Sequence, residues 1–225
     1  MPSRARWAVL AVLFVVFGVT VVVAGQRAEP VHSGVQRLGP EAAEPVAHYL
    51  RRAGASLPGG TAGPVWALVA LDSYLMPEPA ADLTRGVRLS RVIFRVPLPR
   101  VQTALISRDL PGQRPVTELA EAMRSAAQDR LGASRAAPSG RAAAVAVAEA
   151  GQLRSGCACV LALLVFGDGD ALRAVAARPG VRAVHAAFPD TPLQDLAISP
   201  LLPEQVYLAG PVPDDGQVPA DLAGR

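Results

Sequence analysis

The chain has 225 residues, of which 51% are hydrophobic and only 4% aromatic, and it carries a net charge of +3. Every basic residue is arginine, which removes the lysine-dependent chemistries: the Walker-type phosphate loop, Schiff-base catalysis and the Ser-x-x-Lys nucleophile pair. The arginines are spread along the chain among 19 acids, without the basic stripe and stacking aromatics that nucleic-acid binding requires.

The N-terminus opens with Arg4 and Arg6 and no acid, then runs AVLAVLFVVFGVTVVVAG from Ala8 to Gly25. From Trp7 to Gly25 this is about 19 residues, about 28 Å as a helix, enough to cross a hydrocarbon core of about 30 Å. Residues 7–25 are therefore expected to sit in a lipid bilayer. The basic flank stays in the cytoplasm and everything that follows is exported. The run exceeds the apolar core of a signal peptide, which favours an uncleaved anchor; cleavage after Ala24 is the competing reading. Either way the remainder lies outside the cytoplasm. A buried core helix is disfavoured because the segment has no polar face.

Residues 26–63, with Pro30, Gly34, Gly39, Pro40 and the SLPGGTAGP stretch, read as a stalk. Within it Glu41 to Ala53 is expected to form a short helix between Pro40 and Gly54, carrying His48 and Tyr49.

Residues 64–208 read as one α/β domain. Val65–Leu71 (VWALVAL) and Cys157–Phe166 (CACVLALLVF) are apolar on both alternating faces, as interior strands are. Val87–Val96 and Val181–Phe188 alternate in part, as edge strands do, with Arg91, Ile93 and Arg95 opposite Val92, Phe94 and Val96. Each interior candidate is followed by a short helical stretch and then by Gly-Val-Arg opening an edge candidate. Two such β-α-β units predict an α+β domain of ferredoxin-like form, with an open α/β layer of another order as the alternative.

Between the units, residues 97–156 are a helical insert. Prolines 97, 99, 111 and 115 make its loop, and helices are expected over Glu118–Leu131, with Thr117 as cap and Gly132 as stop, and over Arg141–Arg154. Leu119, Met123, Ala126 and Ala127 line one helix; Val145, Glu149 and Leu153 line the other. Doubly apolar strands require cover on both sheet faces, from these helices or from a partner. Residues 189–208 are expected to pack irregularly, and Ala209 to Arg225 to be a disordered tail.

Candidate chemistry is sparse. Cys157 and Cys159, on one face of an extended strand, would hold their Cβ atoms about 6–7 Å apart, too far for a disulfide. They are expected to be free, buried, small hydrophobes; a redox or soft-metal role is the alternative. His32, His48 and His185 lack metal-ligand spacing and are expected at or near the surface. Asp168 and Asp170, in Gly-Asp-Gly-Asp, form a turn in which Asp170 caps the following helix; a hard-cation site is the alternative. Asp72, Glu78 and Asp82 flank the equivalent turn and read as solvated. No catalytic, cofactor or metal residue is assigned, and no cofactor is expected.

The runs GPEAAEPVAHYLRRAGASLP (39–58), GPVWALVAL (63–71), LRSGCACVLALLV (153–165) and LRAVAARPGVRAV (172–184) resemble single-span membrane-anchored proteins of high-GC actinobacteria. The resemblance is one of style over roughly residues 39–190. It implies an envelope location and carries over no motif, activity or site residue. The expected function is that of a non-enzymatic, plasma-membrane-anchored scaffold whose outer domain binds a protein partner or itself. A small-molecule or ion sensor is the alternative, and a secreted hydrolase a third reading.

Overall fold

The structure is a computed structural model that describes residues 34–59, 63–137 and 139–219. The expected span at residues 7–25 lies outside them, as do residues 26–33 with His32; no helix among the described residues is long and apolar enough to cross a membrane. The chain divides into Met1–Gly34 and a second compact unit, Val35–Arg225, which is α+β.

The unit is built on a five-stranded sheet. Its strands are β2 (Val65–Leu75), β3 (Arg88–Phe94), β4 (Ile106–Asp109), β5 (Val160–Gly167) and β6 (Val181–Ala186), in the order β4-β3-β5-β2-β6 with antiparallel neighbours throughout. The two runs apolar on both faces, β2 and β5, lie side by side in the interior. β6 is an edge. β3 is not, because β4 pairs along it with Val92 opposite Arg108. β4 is only four residues long, ISRD, and lies in a stretch that reads as a proline loop, so the strand is a product of pairing rather than of local pattern.

Five helices complete the described unit: α1 (Val46–Ala55), α2 (Pro77–Asp82), α3 (Pro115–Ala136), α4 (Arg141–Ser155) and α5 (Gly169–Ala176). α3 and α4 form the expected hairpin. α3 starts earlier than expected, at Pro115, and Thr117 does not cap it. Instead the Glu118 carboxylate accepts the amides of Gly112, Gln113 and Arg114 at 2.7–3.0 Å. Those three hydrogen bonds outweigh burial and hold Glu118 below the usual carboxylate range. α3 also continues through Gly132, an exposed site where glycine costs only about 1 kcal/mol. It ends at Ala137, whose extended backbone (ψ 138°) is the conformation imposed on a residue preceding proline.

One face of the sheet packs on helices. Val65, Ala67 and Val69 of β2, with Leu163 and Val165 of β5, meet Leu119 and Met123 of α3, Leu153 of α4, Leu172 of α5 and Ala80 of α2. The insert helices therefore join the same layer as α2 and α5. The opposite face is covered by part of the expected stalk and by the segment after β6 that is expected to pack irregularly. β1 (Gln36–Leu38) pairs in parallel with β7 (Leu196–Ile198), and Leu38, Leu196 and Leu202 pack on Leu68, Ile93, Leu161 and Leu164. Beside them, Val46, Tyr49 and Ala53 of α1 pack on Ala70, Leu201 and Ala209. Residues 35–59 are thus part of the fold rather than a stalk. The described part of the tail likewise packs on the fold: Gly216 donates to the Arg100 carbonyl at 2.7 Å, and Asp214 pairs with Arg141 at 2.8 Å.

The expected helix from Glu41 begins instead at Val46, because Ala43 adopts a left-handed backbone (φ 59°) that breaks any helix there. Pro45 then precedes the first turn. Gly39 has a positive φ of 122°, and a Cβ on it would lie 1.7 Å from the Ser199 carbonyl oxygen. Only glycine lets β1 approach β7 so closely.

Candidate functional site

Two polar centres are buried against the layer formed by the N- and C-terminal segments. The first lies where Arg95, just past β3, reaches the end of β2. Its guanidinium donates to the Tyr74 hydroxyl and to Glu204, and Tyr74 donates its own proton to Glu204 at 3.0 Å. The Arg95 side chain is 3% exposed, although the alternating pattern of β3 places arginine on the wetter face. Its charge is tolerated because the carboxylate neutralises it and the backbone is anchored too, Arg95 N–H donating to the Cys159 carbonyl at 2.9 Å. Burial pushes the Tyr74 phenol up, against the opposing pull of Arg95.

Tyr74 and Glu204 form one wall of a groove of about 900 Å³ between the turn at residues 97–100 and a strap at residues 203–213. Leu98, Tyr207 and Val212 supply much of its apolar lining. The strap is held from several sides. Arg182 donates to the carbonyls of Leu202, Pro203 and Gln205 at 2.6–3.3 Å. The Gln205 amide accepts from Leu202 N–H and donates to the Gly210 carbonyl. Backbone bonds join Tyr207 to Val46 and Ala209 to Ala43 and Glu44. At the rim, Arg100 and Asp215 pair at 2.5 Å. Yet the side chains at the crest of this fixed strap, Val206, Tyr207 and Leu208, are 60%, 87% and 54% exposed. The sequence reading places residues 189–208 as irregular packing and singles out none of them. The available signal is the apolar triplet Val-Tyr-Leu inside a proline-rich stretch.

The second centre contains His48, Tyr49 and Arg52 of α1, Glu44 just before it, and His185 of β6. His185, expected near the surface, is buried, with Gly39 N–H donating to its Nδ1 at 3.0 Å and Arg52 Nη1 3.4 Å from its Nε2. Arg52 pairs with buried Glu44 at 2.8 Å, and His48 Nδ1 lies 2.7 Å from the same carboxyl. The Arg52 hydrogen bond, above all, holds Glu44 down at about 2. Burial first, and then the Arg52 charge, lower His185 to about 4. The Tyr49 hydroxyl is buried nearby without a hydrogen-bond partner among the described residues, and burial pushes the phenol up. This cluster pins the N-terminal segment to β6.

The remaining candidates stay apart. Asp168, not Asp170, caps α5 by accepting from Ala171 N–H at 2.8 Å, and Asp170 pairs with Arg173 at 2.6 Å. Asp72 accepts from Ser73, and Asp82 pairs with Arg85 at 3.7 Å; no hydrogen bond links either to Glu78. Among the described residues no three His, Cys, Asp or Glu side chains gather as a metal site. Cys157 and Cys159 form a disulfide, with Cα atoms 5.2 Å apart. The expectation of free thiols assumed an extended strand, but β5 begins only at Val160 and the chain bends through residues 157–159.

The chain matches no protein-family model, and neither a curated protein nor a solved structure is significantly similar to it.

Proposed function

We propose that this chain is a non-catalytic binding module, held at the outer side of the plasma membrane by residues 7–25, with a ferredoxin-like domain that takes an extended apolar segment of a protein partner in the groove beside the strap. Strand order and the two β-α-β units support the ferredoxin-like reading: β4 extends the sheet at one side, and the α3–α4 hairpin is inserted between the units. The apolar N-terminal run supports the anchor, and the Cys157–Cys159 disulfide agrees with an oxidising compartment.

One observation carries the binding role. Val206, Tyr207 and Leu208 are exposed on a strap whose backbone is already fixed on both sides. Exposed apolar side chains on an ordered frame lose little conformational entropy on contact, which is the condition for an efficient interface. A photo-crosslinking residue at position 207, with one at Glu121 on exposed α3 surface as control, tests this in cells. The expected result is a discrete protein adduct at 207 that Val206→Asp abolishes and the control lacks. Equal labelling at both positions, or none at 207, contradicts it.

The alternative, a small-molecule sensor, is favoured by the groove's volume, which suits a compact ligand, and by the Tyr74–Arg95–Glu204 wall. A thermal shift with a metabolite, lost in Glu204→Gln, would select that reading.

A further inference from the structure

From the arrangement around Cys157 and Cys159 we infer that this disulfide is a thiol–disulfide exchange site, accepting two electrons from a dithiol of a second protein. The two sulfurs belong to very different surroundings. Cys159 is completely buried in the core between the sheet and the helices, whereas Cys157 is half-buried at the end of the α4 connection. An incoming thiolate therefore has access to one sulfur only, that of Cys157. Met76, itself 43% exposed, places its methyl close to Gly156 and gives the approach an apolar flank.

The bond also has little structural work to do. It closes over a single intervening residue, so it restricts the unfolded chain far less than a long-range cross-link does. The adjoining core, from Val160 to Val165, is fully buried through packing and strand pairing on both sides. What the bond does control is local: it keeps residues 157–159 bent, although the run from Cys157 to Phe166 has the pattern of a longer strand. Next to this bend Val160 still pairs with Leu75, and the register of β2 against β5 shifts one step further in, opposite Leu161. Reduction releases a segment suited to extend β5 and leaves the rest of the sheet in place.

The exchange proceeds in two steps. A partner thiolate attacks Cys157 Sγ, forming a mixed disulfide; the Cys157–Cys159 bond breaks and its electron pair leaves on Cys159, which takes the proton given up by the partner's second thiol. The partner's second thiolate then attacks its own sulfur in the mixed disulfide, forming the partner's disulfide and releasing Cys157 as a thiolate. Two electrons and the reducing equivalents pass from the partner dithiol to this chain, once per chain.

The test uses the full-length chain in detergent, with dithiothreitol as the dithiol, and does not depend on the groove. Alkylation and intact mass should show two thiols appearing together while far-ultraviolet circular dichroism stays native. In single variants, Cys157 in Cys159→Ser should form a mixed disulfide with an aromatic disulfide reagent at least tenfold faster than Cys159 does in Cys157→Ser. A bond that resists excess dithiothreitol until the protein unfolds would overturn the inference. So would equal reactivity of the two single variants. If either variant fails to fold, the reduction of the native chain decides alone.

Discussion

At the scale of single residues, His185 shows how burial and a neighbouring charge set a pH response. Its Nδ1 accepts from Gly39 and its Nε2 faces Arg52, so a second ring proton would oppose a donor on one side and a cation on the other. The charged groups around it are Glu44 and Arg52, with Arg182 on its own strand near Tyr49; only Glu44 favours the protonated ring. The folded value of about 4 lies below the ordinary 6.5, so in this interval the unfolded chain binds a proton that the folded chain does not. Stability is therefore retained above pH 6.5 and lost as pH falls toward 4, by about 1.4 kcal/mol per pH unit at most. Glu44, lowered from 4.5 to about 2, adds a second loss as pH falls from 4.5 toward 2. Urea midpoints between pH 4 and 7 should slope for the native chain and flatten for His185→Gln. The same slope in both proteins would remove His185 from the account.

At the scale of elements, what the sequence revealed depended on whether the signal was local. The doubly apolar runs in β2 and β5, the short helix of each β-α-β unit and the α3–α4 hairpin follow from residue patterns repeated within each element, and all are present, although α1 and α3 run through the glycines expected to end them. β1, β4 and β7 are three or four residues long and gain their hydrogen bonds from distant partners, so no periodicity marks them. The cover of the second sheet face was missed for the same reason. Glycine and proline in residues 26–63 suggest a loose stalk, but Gly39 is required by close approach to Ser199. The disulfide is not legible in the sequence because the apolar pattern of β5 runs on through Cys157–Cys159, three residues before the strand begins. Gly39→Ala tests the closing contact. It adds both a disfavoured φ and a clash with backbone, and should cost about 2–4 kcal/mol in chemical denaturation. Faster amide exchange should appear along Gln36–Leu38. Native stability in this variant would mean that β1 and β7 are not tightly coupled.

At the scale of the whole molecule, the buried charges among the described residues sit in a few paired centres, and the Tyr49 hydroxyl is the buried polar side-chain atom without a partner among them. Glu149, fully buried, accepts from Ala104 N–H and pairs with Arg130 at 2.5 Å; Glu118 caps α3; Arg95 and Arg182 hold the strap side. Such residues read in the sequence as ordinary charges, because burial of a charge is decided by what packs over it. Among the described residues, three of the eight exposed large apolar side chains are consecutive, at Val206–Leu208 beside the groove. The proposed binding module would join a lipid-embedded N-terminus, an outer α+β unit and a presented binding strap. The central claim is the side of the membrane on which that unit lies. Tyr207→Cys, in a chain that also carries Cys157→Ser and Cys159→Ser, places the single thiol at the most exposed of the strap positions. A membrane-impermeant maleimide applied to intact spheroplasts should label this variant fully before lysis and leave the cysteine-free parent unlabelled. Labelling that appears only after lysis would place the domain in the cytoplasm and contradict the account.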